Sequence, residues 1–377
     1  MSRHYLDHAS TSPARPEVVE AMLAWLSGPG GADPGRVHTE GRMARAAIEE
    51  AREQVAALLG ARSREVVFTS GATEAVNAAV WGATQARAGA AVVCAAIEHS
   101  SVRDASRRHA AVVEPAVDGR GRVQVAAVTE LDPAQVALVH CQWGNHEVGT
   151  IQPAADVVAW GRENGVLTHV DAAAAAGHVA VDYAGLGADL LSVSAHKLGG
   201  PKGAGALVVR RGLRLAPFVV GGEQERSRRG GMENVPAIVG FGAAAAALTA
   251  GGGARLRQEA AAARAQTERL LKAATAIDGV RAYGDTDDRL PHIVCVGVDG
   301  VEAEAVLLGL DQAGIAAHSG SACSSESLEP SPVLEAMGVD ADRSLRLSVG
   351  WSTTEDDVDA CVAALFPVVE RLRALAG

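Results

Sequence analysis

LLSVSAHKLGGPKGAGALVV, residues 190–209, decides the fold. Two short apolar runs, Leu190–Val193 and Ala206–Val209, flank a polar turn that breaks into glycines. Runs this short, apolar on both faces and bounded by glycine, read as buried strands rather than helices. Outward from this stretch the pattern repeats. Strand-like runs at Glu65–Phe68, Ala91–Ala95, Val112–Pro115, Val136–His140 and Leu167–Val170 alternate with segments of helical spacing, which predicts an α/β fold with a mostly parallel sheet covered by helices. Ligands in such sheets gather at the carboxyl ends of the strands. SGAT, EHS, NHE, DAA and SAHK each follow a predicted strand, so five polar clusters are expected on one rim.

The turn also holds two of the chain's three lysines, Lys197 and Lys202, the third being Lys272; arginine supplies nearly all the other positive charge among 34 Lys and Arg. Chemistry that needs an amine, such as a Schiff base, therefore has few candidates, and Lys197, directly after an apolar strand, is the stronger of the pair. With 377 residues, 48% hydrophobic but only 3% aromatic, the core must be built from Val, Leu, Ile and Ala. A formal charge of −11 argues against a general nucleic-acid or membrane-surface role. MSRHYLDHAS lacks the apolar core of a signal peptide and no apolar run reaches the roughly 20 residues of a membrane span, so no membrane partner and a cytoplasmic location are expected. Five dispersed cysteines without CxxC spacing disfavour a zinc site or a disulfide framework, and no metal is expected.

Pro16 starts an expected helix, and Met43–Leu59 has helical apolar spacing. The alanine-rich Gly240–Arg269 leads to a second unit, with a boundary near Gly251–Gly253. That unit reads as α+β, with strands at Ile293–Val298 and Leu345–Val349 and helices around Glu302–Leu310 and Asp356–Leu375. The run Ala172–Ala176 reads as a close-packed helix.

Local chemistry leaves some roles open. In SGATE, Ser70–Glu74, the amides and hydroxyl around Ala72 and Thr73 suit either a phosphate at a helix start or an ordinary N-cap. His99 is either a hydrogen-bonded structural residue or a ring that stacks on a planar cofactor and moves a proton. Asp171 is either an N-cap or a buried carboxylate that keeps a pyridinium nitrogen protonated. Ser194, His196 and Lys197 together suit phosphate oxygens beside an imine-forming amine. Cys94, Cys141, Cys295 and Cys361 lie in apolar runs, whereas Cys323 lies in the polar stretch HSGSACSSESLEPS, where a thiol is a candidate nucleophile. Arg346, inside an apolar strand, needs a carboxylate partner from the protein or a substrate.

YLDHASTSP, VVFTSGATEAVN, IEHSSV, NHEVGTIQP, HVDA, SVSAHKLGGPKGAGAL, GGEQERSRRGGMENVPAIVG, SGSACSSESLEPS and LRLSVG occur in the order of one family. The chain resembles the NifS/IscS-like cysteine desulfurases, pyridoxal-phosphate enzymes of the class V aminotransferase family. The resemblance implies fold type I, with a large cofactor-binding domain at 13–250 and a smaller α+β domain at 251–377 on which residues 1–12 pack. It implies that Lys197 holds the cofactor as an imine, Asp171 pairs with the ring nitrogen, His99 stacks and transfers protons, and Ala72, Thr73, Ser194 and His196 bind the phosphate. His146 and Ala174 stand at the two positions that contact the cofactor's phenolic oxygen in the family, Asn145, one place before His146, is a further cofactor contact, and Arg346 with Asn145 would hold the substrate. Cys323 would take sulfur from L-cysteine as a persulfide, releasing alanine, and pass it to a protein acceptor. A homodimer is implied. The departures are His146 for the family's usual Asn, Ala174 for Gln, and Met232 for the Thr that reaches the partner's phosphate. They keep open another reaction on this fold, such as a selenocysteine lyase, β-lyase or aminotransferase, alongside a weakly catalytic sulfur carrier.

Overall fold

Strand residues alternate between two apolar layers, and that alternation builds the central sheet. The computed structural model describes residues 3–27, 32–319 and 330–376. Strand β1 is His4–Tyr5; β2 Val66–Thr69, β3 Ala91–Val93, β4 Val112–Val113, β5 Val136–His140, β6 Leu167–Asp171, β7 Leu190–Ser194 and β8 Gly205–Val209 form one sheet in the order β2-β8-β7-β6-β5-β3-β4. Pairings from β4 through β7 are parallel, and β8 runs antiparallel to β7 and β2. Val66, Phe68, Leu191, Val193, Ala206 and Val208 enter the core on one face, while Val67, Leu190, Leu207 and Val209 enter the core on the other. With both faces covered, this period of two favours apolar residues on successive positions, as in VVF of β2, VALV of β5 and ALVV of β8.

Helix α1 (Pro16–Ser27), α2 (Thr39–Leu58) and the first part of the helix Val235–Thr275 cover the first face. Helices α3 (Ala72–Ala86) and α4 (Ser100–His109) cover the second. By length and composition Val235–Thr275 suffices to cross a membrane. Its apolar side instead packs on α1 and α2, and it breaks at Ala250–Gly253, where Gly251, Gly252 and Gly253 take φ of 60°, 66° and 80°.

After the break lies a separate apolar core. Strands β9 (Val280–Tyr283), β10 (Ile293–Val298) and β12 (Ser344–Ser348) form an antiparallel sheet in the order β12-β10-β9, against the helices Ala303–Gln312 and Glu355–Ala376. Strand β11 (Ile315–Ala316) pairs in parallel with β1, and Leu6 is buried in this second core. The N-terminal segment then crosses to the lysine turn: Ser12 donates its amide to the His196 carbonyl and Arg15 its amide to that of Gly199. The buried Arg15 guanidinium also donates to Leu198 O and forms a two-pronged pair with Glu259.

The run Ala172–Ala176 is not a helix. It forms a buried turn, closed by the amides of Ala175 and Ala176 on the Ala172 carbonyl and by the Ala173 amide on Asp171 Oδ1, and it ends at Gly177 with φ 85°. Five alanines are too few to nucleate a helix against such tertiary contacts.

Candidate active site

Most of the site's side chains follow the carboxyl ends of the central strands, while Arg346 comes from within β12. Strand β7 ends at Ser194, and Ala195–Leu198 makes one 3₁₀ turn closed by Gly199 at φ 82°. The turn hangs from the Ala195 amide bonded to Ala204 O and the Gly200 amide bonded to Ala195 O. This hairpin holds Lys197 at the rim of a cavity of ≈ 490 Å³. Ala72, Thr73, His99, His146, Asp171, Ala174, Ser194, His196, Lys197, Lys202 and Arg346 all line it.

At one end α3 begins. Its N-cap is Gly71, which has no side chain to cap the helix, so the first-turn amides keep their donor capacity. Ser70 gives its amide to Glu74, which Arg229 in turn pairs, so the one carboxylate at this helix start is neutralised. The positive end of α3 with Lys197 and Lys202 nearby therefore suits an anion. Gly205 lets the hairpin reach this helix start: a Cβ there would stand 2.6 Å from Gly71 C and Cα. His196 donates or accepts at Thr11 Oγ1 through Nδ1 (3.1 Å), and burial, reinforced by Lys197 and Lys202, lowers its pKa to about 4. It stays neutral beside the anion position.

Asp171 ends β6 and is 8% exposed. Its Oδ1 accepts from Ser192 Oγ (2.9 Å) and the Ala173 amide (3.0 Å); no helix follows, so this oxygen caps a turn instead of the expected helix N-terminus. Oδ2 has no hydrogen bond among the described residues. His99 caps α4, its Nδ1 accepting the Ser101 amide at 3.2 Å. Burial first, then Lys197, lowers its pKa to about 4, and its neutral ring meets that of His146 edge to face at 5.1 Å between centroids.

Asn145 departs from expectation. Its Nδ2 donates to Ile97 O and its Oδ1 accepts the amides of Glu147 and Val148, so the side chain is consumed in holding its own turn and does not line the cavity. His146 takes that place, with Nδ1 buried and unpartnered. Arg346 lies across from it, 1% exposed, with its Nη atoms donating to His146 O, Asp7 Oδ1 and Ser10 Oγ, and with Nε unpartnered. Its carboxylate partner is thus Asp7. Cys323 lies outside the described residues. Cys94, Cys141, Cys295 and Cys361 are buried, and burial pushes their thiols up, to about 12 for Cys295 and Cys361. Ser10, Thr11 and Gln142 also line the cavity without having been singled out; the polar run HASTS was the available signal for the first two.

The arrangement offers an amine, a helix start suited to an anion, a buried carboxylate and a neutral imidazole around one space. The aminotransferase class-V family matches residues 4–361. Cysteine desulfurase IscS 1 of Archaeoglobus fulgidus is 41% identical over 98% of both chains, and a cysteine desulfurase of Trichormus azollae is 39% identical over 100% of this chain and 95% of its own. A NifS-like protein of known structure superposes with a TM-score of 0.90 at 29% identity, covering 98% of this chain and 100% of its own. A NifS-like protein from Rickettsia africae gives 0.88 at 29%, covering 98% and 99%. The chain belongs to the aminotransferase class-V family, an α/β enzyme class. The two full-length relatives named above are cysteine desulfurases.

Proposed function

We propose that the protein is a pyridoxal-phosphate-dependent cysteine desulfurase that converts L-cysteine to L-alanine, with Cys323 taking the sulfur as a persulfide for a protein acceptor. The single observation that carries the reading is the meeting of Lys197, Asp171, His99 and the start of α3 around one cavity. The residues fit the cofactor: uncapped helix amides and two lysines suit the phosphate, and Asp171 Oδ2 suits a protonated ring nitrogen. Pyridoxal phosphate, when bound, supplies the electron sink for bonds at the substrate's α-carbon.

The chain's own residues supply position and proton handling. Lys197 provides at Nζ the amine for covalent attachment and a group able to carry a proton. Asp171, with Oδ1 fixed by Ser192 and Ala173, offers a carboxylate that cannot rotate away. His99, neutral with Nδ1 accepting from Ser101, carries its proton on Nε2. A substrate carboxylate approaching Arg346 would exchange for Asp7, so the ion pair already holds the guanidinium in place.

A homodimer is part of the proposal. Phe218, Val220 and Met232 are exposed apolar residues in one stretch, with Met232 66% exposed, and a second copy would cover them. Sedimentation of the purified chain tests this.

The decisive experiment is Cys323→Ala. Alanine and sulfide release from cysteine should be lost, while the absorbance of bound cofactor stays. Alanine formed at the parental rate by this variant would end the persulfide reading and favour a lyase.

A further inference from the structure

Two turns carry the cavity wall beside Asp171: residues 97–99, after β3, and 142–148, after β5. One buried network joins them. Glu98, 2% exposed, accepts the Gln142 amide on Oε1 at 2.7 Å. Gln142 Nε2 donates back to Ile97 O at 2.7 Å, and Asn145 Nδ2 donates to the same carbonyl at 3.1 Å. His99 and His146 leave these same two turns and meet edge to face.

Glu98 Oε2 is buried without a hydrogen-bond partner among the described residues. Among the described residues no cation pairs with it. An ionised carboxylate in that position would be an uncompensated buried charge, which proteins avoid by pairing or by protonation. Here only protonation is open. Burial, followed by the charge of Asp171 on β6, pushes the Glu98 pKa up to about 8, against the pull of the Gln142 amide. The other titratable groups around it are His99 on its own turn, and Cys94 after β3 and Cys141 after β5, whose thiols burial and Glu98 both push up.

We propose that Glu98 is a positioning residue of the active site, a neutral carboxylic acid that clamps the His99 turn to the His146 turn without setting a second negative charge beside Asp171. It touches neither substrate nor cofactor. Its effect passes through the two histidine rings and through the undiluted charge of Asp171. The melting arm of the test does not depend on the proposed cofactor; the binding arm does.

Three variants of the full chain decide the matter. Glu98→Gln keeps the acceptor and the shape of the neutral acid and cannot ionise; Glu98→Ala removes both; Glu98→Asp keeps a carboxyl too short to reach Gln142. In the cofactor-free protein, the parent's Glu98 is more basic folded than unfolded. Its stabilising contribution is therefore full below pH 4.5 and lost as pH rises through about 8. The melting temperature of Glu98→Gln minus that of the parent should then climb between pH 5 and 8 and level off above. In the second arm, pyridoxal phosphate binding at pH 7 should weaken about tenfold in Glu98→Ala, the loss of one clamp, and be restored in Glu98→Gln. The bound cofactor's absorbance in the parent should show an inflection near pH 8 that Glu98→Gln lacks. A melting difference that ignores pH overturns the neutral acid. Ala binding cofactor as tightly as Gln overturns the clamp, and if Ala does not fold, Asp binding as tightly as Gln does the same. A chain that bound no pyridoxal phosphate would fail the second arm alone.

Discussion

At the scale of single residues, the choice between Asn145 and His146 shows how local bonding assigns a role. Asparagine readily folds its side chain onto backbone amides two and three residues ahead. Asn145 does so with Glu147 and Val148, which rotates the next residue, His146, into the cavity with its Nδ1 unpartnered. His146→Ala should change the absorbance of bound cofactor and alter cysteine turnover about twofold to tenfold, the range of one hydrogen bond. Parental spectrum and rate in that variant would mean that the ring only fills space. Lys197 was legible because lysine is so rare here, and Asp171 and His99 because each follows a strand. Different atoms of these two serve different ends: Asp171 Oδ1 caps a turn and His99 Nδ1 caps a helix, while both side chains also line the cavity where the cofactor is proposed. Glu98 and Gln142 were illegible, because a buried carboxyl beside a histidine in sequence carries no mark of which turn it will bond.

At the scale of elements, most strands of the central sheet could be read because they are short runs rich in apolar residues on both faces, a pattern that no amphipathic helix imitates. Strands β9 and β11 could not. In β9 exposed and half-buried residues precede the one buried residue, Tyr283, and β11 is two residues long, formed only by the approach of β1. The alanine run misled because high intrinsic helix propensity lost to the Asp171 and Gly177 turn. Between the correct and the missed elements lies one contact on which the site depends, that of β8 with the start of α3. Gly205→Ala would press a methyl against the Gly71 backbone, where no flexible side chain can yield. The expected cost is about 1–3 kcal/mol of stability. Because the strain falls on the amides proposed to bind phosphate, cofactor affinity should drop as well, measurable by equilibrium dialysis. A variant that lost stability but kept full affinity would separate the hairpin contact from the anion position.

At the scale of the whole molecule, the buried histidines set a response to acid that no single site explains. Burial lowers the pKa of His8, His99, His169, His178 and His196 to about 4, and holds that of His140 and His292 well below the usual value. They lie in different places: His140 and His169 share a hydrogen bond between β5 and β6, while His178 and His292 stack at 3.5 Å and His178 Nε2 contacts the Lys197 carbonyl. In each case the unfolded chain takes up a proton below about pH 6.5, whereas the folded protein resists to lower pH, until about pH 4 for the first five. Their contribution to stability is therefore present above pH 6.5 and lost as pH falls toward 4. Paired carboxylates such as Glu74 and Glu259, held below the usual range with help from arginines, act in the same direction at still lower pH. Glu98 acts in the opposite direction, but it is one group against seven. The cofactor-free protein should accordingly melt several degrees lower at pH 5 than at pH 7, and its unfolding at pH 5 should take up protons. Calorimetry at pH 5 in two buffers of different ionisation enthalpy measures that uptake directly: apparent enthalpies that agree between the buffers would show that the histidines are already charged in the fold, and the neutral ring assigned to His99 beside Lys197 would fall with them.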